Sequence, residues 1–111
     1  MIHSLVRPVI RHVISAIIWD RKGRVLSIGQ NNYFKSHPMQ AHHGALCGEP
    51  YKIFLHAEIH AITRCSDINK AHRIMVFRYN AKGQPALAKP CQICMSAIAA
   101  TPIKVIEWTG I

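Results

Sequence analysis

Apolar and polar positions follow two rhythms along this chain. From His12 to Asp20 the residues are mostly Val, Ile, Ala and Trp, a continuous β-branched run that predicts a central strand buried on both faces. A charged turn, Asp20, Arg21, Lys22 and Gly23, follows, and apolar residues resume at Val25, Leu26 and Ile28 within Arg24 to Gln30. The two runs predict an antiparallel hairpin. From Asn31 to Leu55 no periodicity persists, and a short helix is expected near Met39 to Cys47. Structureless connections beyond about 12 to 15 residues are uncommon in compact domains and often line a binding site, so part of this segment is expected at the functional site.

Helical spacing returns with Ala57, Ala61, Ile62 and Cys65, a stripe able to face a sheet. The run Ile74 to Phe77 predicts another buried strand, and Asn80, Gly83 and Pro85 mark a turn between Tyr79 and Pro85. Pro90 stands where a helix start tolerates proline, because its missing N–H would lack a partner there. The helix is expected over Cys91 to Ala100, stopped by Pro102, and Ile103 to Trp108 predicts a last strand. Strand, strand, loop, helix, strand, helix, strand calls for an α/β fold with a mixed sheet and helices packed on its faces. A chain of 111 residues suits a single domain spanning residues 1–111.

Composition narrows the setting more than the chemistry. Half the residues are hydrophobic and 17% are charged, which suits a compact fold. The longest apolar run, Val13 to Trp19, is broken by Ser15 and is far shorter than the roughly 20 residues that cross a bilayer. Met1 to Arg11 shows no signal-peptide pattern, so no membrane span and a cytoplasmic location are expected. Fourteen Lys and Arg against 5 acidic residues give a formal net charge of +9, compatible with an anionic partner such as a nucleotide phosphate or a polynucleotide. These cations are scattered along the chain and form no block, which equally describes a solvated basic surface.

Four cysteines allow two disulfides, but Cys91 and Cys94 are spaced as CxxC, and metal binding or reduced thiols are the better expectation without an export signal. At the start of a helix the two lie on one face, where the helix dipole lowers the cost of forming thiolates. His56 supplies a third donor from the start of the preceding helix. Three protein ligands plus a water describe a catalytic zinc site with an open fourth position, and zinc brings the pKa of its water to about 7. Glu58, the one acid beside these ligands, is placed to act as base and acid in turn. Read separately, CxxC also fits a zinc ribbon or a redox pair, and His56 a core histidine.

Together, His56-Ala57-Glu58 (HAE) and Pro90 to Cys94 (PCQIC) match the HxE and PCxxC signature of zinc deaminases. From about His12 to Trp108 the chain resembles the cytidine deaminase superfamily, and most closely its short deoxycytidylate deaminases, including those of bacteriophages. Weaker matches lie at Ser27 to Asn32 and at Ser36, His37 and Pro38. The resemblance implies a cytidine deaminase-like three-layer α/β/α fold with a mixed sheet of four to five strands. It further implies one catalytic zinc and hydrolytic deamination of a free nucleotide, dCMP to dUMP plus ammonia, within pyrimidine nucleotide metabolism. Homo-oligomers are common in the family and would cover exposed apolar faces or edges, so the resemblance implies a homo-oligomer.

By the same resemblance Asn31 binds the sugar hydroxyl, although a turn-capping asparagine is the alternative. The Ala57 N–H faces the pyrimidine carbonyl, and main-chain carbonyls at Lys89 and Pro90 face the exocyclic amine. Lys35, Arg78 and Lys89 flank the predicted strand and helix ends and are the candidates for a phosphate. His37, His42, His43 and Cys47 are candidates for a second, structural zinc. Two other functions compete: deamination of cytosine or adenine in single-stranded DNA or RNA, and a zinc-stabilised nucleic-acid-binding module without catalysis. Aromatics at 7% leave few stacking platforms for a polynucleotide.

Overall fold

The computed structural model describes residues 13–32, 34–50 and 54–110, and the His12 end of the first predicted strand lies outside them. Strands β1 (Ile14–Asp20) and β2 (Val25–Gln30) form the expected antiparallel hairpin. Its turn is organised by Asp20, whose Oδ1 accepts the N–H groups of Lys22 and Arg24 at 2.9 Å each, while Oδ2 accepts Arg24 Nε–H at 3.0 Å. Gly23 takes the positive φ of 84° that closes the turn. Leu26 is the extra residue of a bulge opposite Ile18 and Trp19, and packs against the core.

Helix α1 (Pro38–Leu46) starts at the proline and is capped by His37, whose Nδ1 accepts the Met39 N–H at 3.0 Å. Helix α2 (Ala57–Arg64) precedes strand β3 (Ala71–Arg78), helix α3 (Gln92–Ala99) follows it, and β4 (Val105–Trp108) ends the fold. A short 3-10 turn at Ile68–Lys70, not expected from the apolar pattern, links α2 to β3. The sheet order is β2-β1-β3-β4; β3 is antiparallel to β1 and parallel to β4, so the sheet is mixed. A parallel neighbour requires a crossover, and α3 provides it. Among the described residues no helix is long and apolar enough to cross a membrane.

This order fixes where the helices begin. The end of α2 leads into the start of β3, and α3 begins just beyond the end of β3, so both helix N-termini lie at the carboxyl end of that strand. Ile14 and Asn31, at the outer ends of the hairpin, lie there too, because β1 runs antiparallel to β3.

The core lies between the sheet and α2 and α3: Ala16, Ile18 and Ile74 from the strands, Ala57, Ile59, Ala61 and Ile62 from α2, and Ile93, Cys94, Ala97 and Ile98 from α3. α1 packs beside α3, where His43 Nδ1 meets Ser96 Oγ at 2.8 Å. The reading of β1 as buried on both faces needs correction. Ala16, Ile18 and Asp20 are buried, whereas Ile17 and Trp19 are only half-buried, since the described helices pack on the other side of the sheet. β3 is longer than the apolar run because His72 and Arg73 extend it. Arg73 lies 4.3 Å from the centre of the Trp19 ring and pairs with Glu107, so a charged residue is accommodated in a central strand.

α2 comes unusually close to the hairpin. Ser27 Oγ donates to the Ala61 carbonyl at 2.7 Å, and a Cβ on Gly29 would meet Ala61 N and would lie 2.5 Å from Ala57 O. Both obstacles are backbone and cannot turn aside. Gly29→Ala is therefore expected to destabilise the fold by about 3 kcal/mol, the upper range for overpacking; an unchanged denaturant midpoint would contradict this contact. The Asp20 carboxyl is held below its ordinary value of 3.8, chiefly by the Arg24 backbone N–H. The unfolded chain binds this proton more readily, so the contribution is complete above about pH 5 and fades as pH falls through the carboxylate range. Urea unfolding at pH 6 and at pH 3 should show a smaller acid loss in Asp20→Asn than in the parent, and equal losses would rule the contribution out.

Candidate active site and metal centre

His56 and Cys91 are the N-cap residues of α2 and α3, with extended backbones (φ −83°, ψ 154° and φ −71°, ψ 172°), and neither side chain caps its helix. An N-cap side chain ordinarily accepts a bond from the first helical turn; these two turn toward each other instead. His56 Nδ1 lies 3.5 Å from Cys91 Sγ and 3.2 Å from Cys94 Sγ, and the three donor atoms fall within 4.8 Å of one another. Tetrahedral zinc with ordinary Zn–S and Zn–N bonds separates such a nitrogen and sulfur by roughly 3.6 Å. Two sulfurs, one imidazole and this spacing make the cluster compatible with one zinc ion.

The electrostatics agree with that donor set. Cys91 is pushed down to about 3, first by the hydrogen bond from Cys94 and further by His56. Cys94 is pushed up, because its proton is held in the bond to Cys91 and its sulfur is buried. Two thiols sharing one proton beside helix N-termini release it readily to a divalent cation. Gln40, fully buried on α1, accepts the His56 backbone N–H on Oε1 at 3.2 Å, so α1 steadies the histidine from behind. Nothing in the sequence pattern singled out Gln40; a polar residue on the inward face of a short helix was the only cue.

Glu58 lies in the first turn of α2 and is 6% exposed. Burial pushes its carboxyl above the usual carboxylate range, the direction that lets a carboxylic acid hold and deliver a proton near neutrality. It lines a cavity of about 240 Å3 together with Asn31, His56, Ala57, Arg78, Lys89 and Cys91. Cys94 is fully buried.

The structure thus gathers most of the residues named from sequence. Asn31 Oδ1 accepts the Ile14 N–H at 2.9 Å, so this side chain ties the hairpin ends together at the cavity wall. Pro90 is buried next to Cys91 but does not line the cavity. Lys35 is exposed and stands outside the lining of this cavity. Its N–H is held by Asn32 Oδ1 at 3.1 Å and its carbonyl by Leu55, which fixes its backbone in the loop before α1. His37, His42, His43 and Cys47 do not form a second cluster among the described residues. His37 caps α1, His43 faces Ser96, and Cys47 Sγ donates to the Gln92 carbonyl at 3.6 Å. Phe54, Ile14 and Leu87 also line the cavity and were missed. Phe54 has its ring 4.8 Å from that of His56 and lies in the long connection expected to reach the site.

A search of curated proteins finds no match to the chain. The family model described as the cytidine and deoxycytidylate deaminase zinc-binding region matches residues 5–109. The chain belongs to the cytidine and deoxycytidylate deaminase family. In this deaminase both halves of the zinc signature lie inside the match, at the two helix starts that the sheet order brings together. Preparations should contain one zinc per chain, and chelation should lower the melting temperature, because metal that binds only the folded state adds its binding free energy to folding. Cys91→Ala retaining both full zinc content and parental stability would refute the metal centre.

Proposed function

We propose that the chain is a zinc-dependent hydrolytic deaminase of free cytosine nucleotides, of the short deoxycytidylate deaminase kind, converting dCMP and water to dUMP and ammonia. The supporting observation is one cavity lined by the buried acid Glu58, by His56 and Cys91 of the His/Cys/Cys cluster, and by two cations. His56, Cys91 and Cys94 would hold the zinc. When bound, zinc supplies a water acidified toward a pKa of about 7 for attack on C4 of the pyrimidine. Glu58 would accept one proton from the attacking water and pass it to ring N3, then take the second from the hydroxyl newly formed on C4 and pass it to the amine as the C4–N bond breaks, leaving a C4 carbonyl and ammonia. The Ala57 N–H at the start of α2 is assigned to the pyrimidine carbonyl, and the main-chain carbonyl of Lys89, which lines the cavity, to the exocyclic amine. Phe54, Ile14 and Leu87 exclude water around the base.

The phosphate assignment rests on Arg78 and Lys89. Arg78 Nε is buried with no hydrogen-bond partner among the described residues, although its Nη1 donates to the Leu87 carbonyl at 3.4 Å. A buried guanidinium N–H without an acceptor is costly, and a phosphate oxygen would satisfy it. Lys89 Nζ stands 5.8 Å from the centre of the Trp108 ring at the cavity edge.

The test is loss of cytosine absorbance and release of ammonia from a panel of cytidine, deoxycytidine and their nucleotides. Glu58→Gln should keep its zinc and lose about a thousandfold in kcat, within the range for a general acid and base. Arg78→Ala should raise KM for dCMP by about 10- to 100-fold, the worth of one charged hydrogen bond, while leaving deoxycytidine unaffected. A zinc-loaded protein inert toward every member of the panel would end the reading, and faster turnover of cytosine within single strands would transfer it to polynucleotides.

A further inference from the structure

His56 and Cys91 stand at helix starts without capping them. His37 shows the relaxed use of a histidine in that position, since its Nδ1 accepts the Met39 N–H and caps α1. Keeping two N-cap side chains turned away from their own helices needs support from outside those helices, and α1 bonds to both. Toward α2, Gln40 Oε1 accepts the His56 N–H at 3.2 Å. Toward α3, His43 Nδ1 meets Ser96 Oγ at 2.8 Å and Cys47 Sγ donates to the Gln92 carbonyl at 3.6 Å. Gln92 lies between the two cysteines of the cluster, and Ser96 lies two residues beyond Cys94.

The short helix is closed at both ends, as a rigid strut has to be. His37 caps its start, and at its end Gly48 takes a positive φ of 75°. The N–H groups of Gly48 and Glu49 there reach the carbonyls of Ala45 and Gly44 at 3.1 and 2.7 Å. Gln40 is completely buried. A buried amide costs free energy unless its hydrogen bonds are made, and an apolar residue of similar size would fill the space without that cost. What the amide adds is an acceptor for the His56 N–H.

We propose that α1 is a clamp that preorganises the zinc site, with Gln40 positioning His56, and with His43 and Cys47 positioning the start of α3 that carries Cys91 and Cys94. Where the clamp is weakened, the ligands have to be drawn into place as zinc binds, and that ordering is subtracted from the affinity. The clamp residues act through the ligands and do not touch the ion, in the manner of outer-shell partners. His43 and Cys47, candidates for a second zinc in the sequence, thereby serve the first. The inference rests on the metal centre and not on the identity of the substrate.

The test is the zinc dissociation constant of the full chain, measured by competition with a chromogenic chelator under reducing conditions, in the parent and three variants. Gln40→Met keeps the side-chain length but removes the acceptor for the His56 N–H, and should weaken zinc binding about tenfold, the lower end for outer-shell partners. Ser96→Ala removes the His43 contact while introducing a better helix former. It should weaken zinc about threefold, the worth of one neutral hydrogen bond, and it carries the test alone should Gln40→Met not fold. Ser27→Ala is the control, because it removes a buried hydrogen bond from the hairpin side of α2. It should lower the unfolding midpoint of the metal-free and zinc-loaded protein alike and leave the zinc affinity parental. Parental affinity in Ser96→Ala or in a folded Gln40→Met would overturn the clamp. So would an equal loss of affinity in Ser27→Ala, which would make zinc binding a reflection of general stability. Zinc affinity is read without substrate, so inactivity toward nucleotides would count against the proposed reaction alone.

Discussion

Three donor atoms from residues 35 and 38 positions apart have to meet within 4.8 Å, and much of the fold can be understood from that convergence. It needs two helices that begin at the same end of the same strand. A helix feeding into β3 and a second leaving it satisfy the condition, and the parallel β3–β4 pair obliges the second helix to cross over the sheet. The hairpin then has to admit α2 at backbone contact distance, which is why Gly29 carries no side chain and Ser27 donates to the helix backbone. α1 completes the support by giving the His56 N–H an acceptor in Gln40.

The chemistry-bearing parts of this arrangement were legible in the sequence because they are local. HAE and PCQIC each mark a helix start with a residue that fails to cap it, and the residue types and their spacing by themselves suit a zinc site. The hairpin was legible too, since its turn is written in Asp20 and Gly23. What was not legible depended on tertiary packing. The half-buried outer face of β1 looked fully buried because Ile17 and Trp19 are as apolar as Ile18; only the one-sided placement of the described helices distinguishes them. The N-terminal extension of β3 was missed because His72 and Arg73 broke the apolar run, although Arg73 is accommodated by Trp19 and Glu107.

Charge shows the same division. Along the chain the cations form no block, and a solvated basic surface was a fair expectation. The fold nevertheless places Arg78 and Lys89 beside the buried Glu58 at one end of the sheet and five other cations around a cavity at the opposite end. The first pair suits a single phosphate on a substrate held at a metal. In the second group the one acid, Asp20, is already engaged by the turn.

The central claim is that two helix starts build one zinc site whose fourth position is left for the reacting water. Zinc K-edge X-ray absorption on the protein as purified measures this directly. The account predicts two sulfur neighbours near 2.3 Å and two lighter neighbours near 2.0 Å, with one of the lighter neighbours exchangeable for an added small anion. Three or four sulfur neighbours, or a four-coordinate shell that no added ligand perturbs, would describe a closed structural zinc and contradict it.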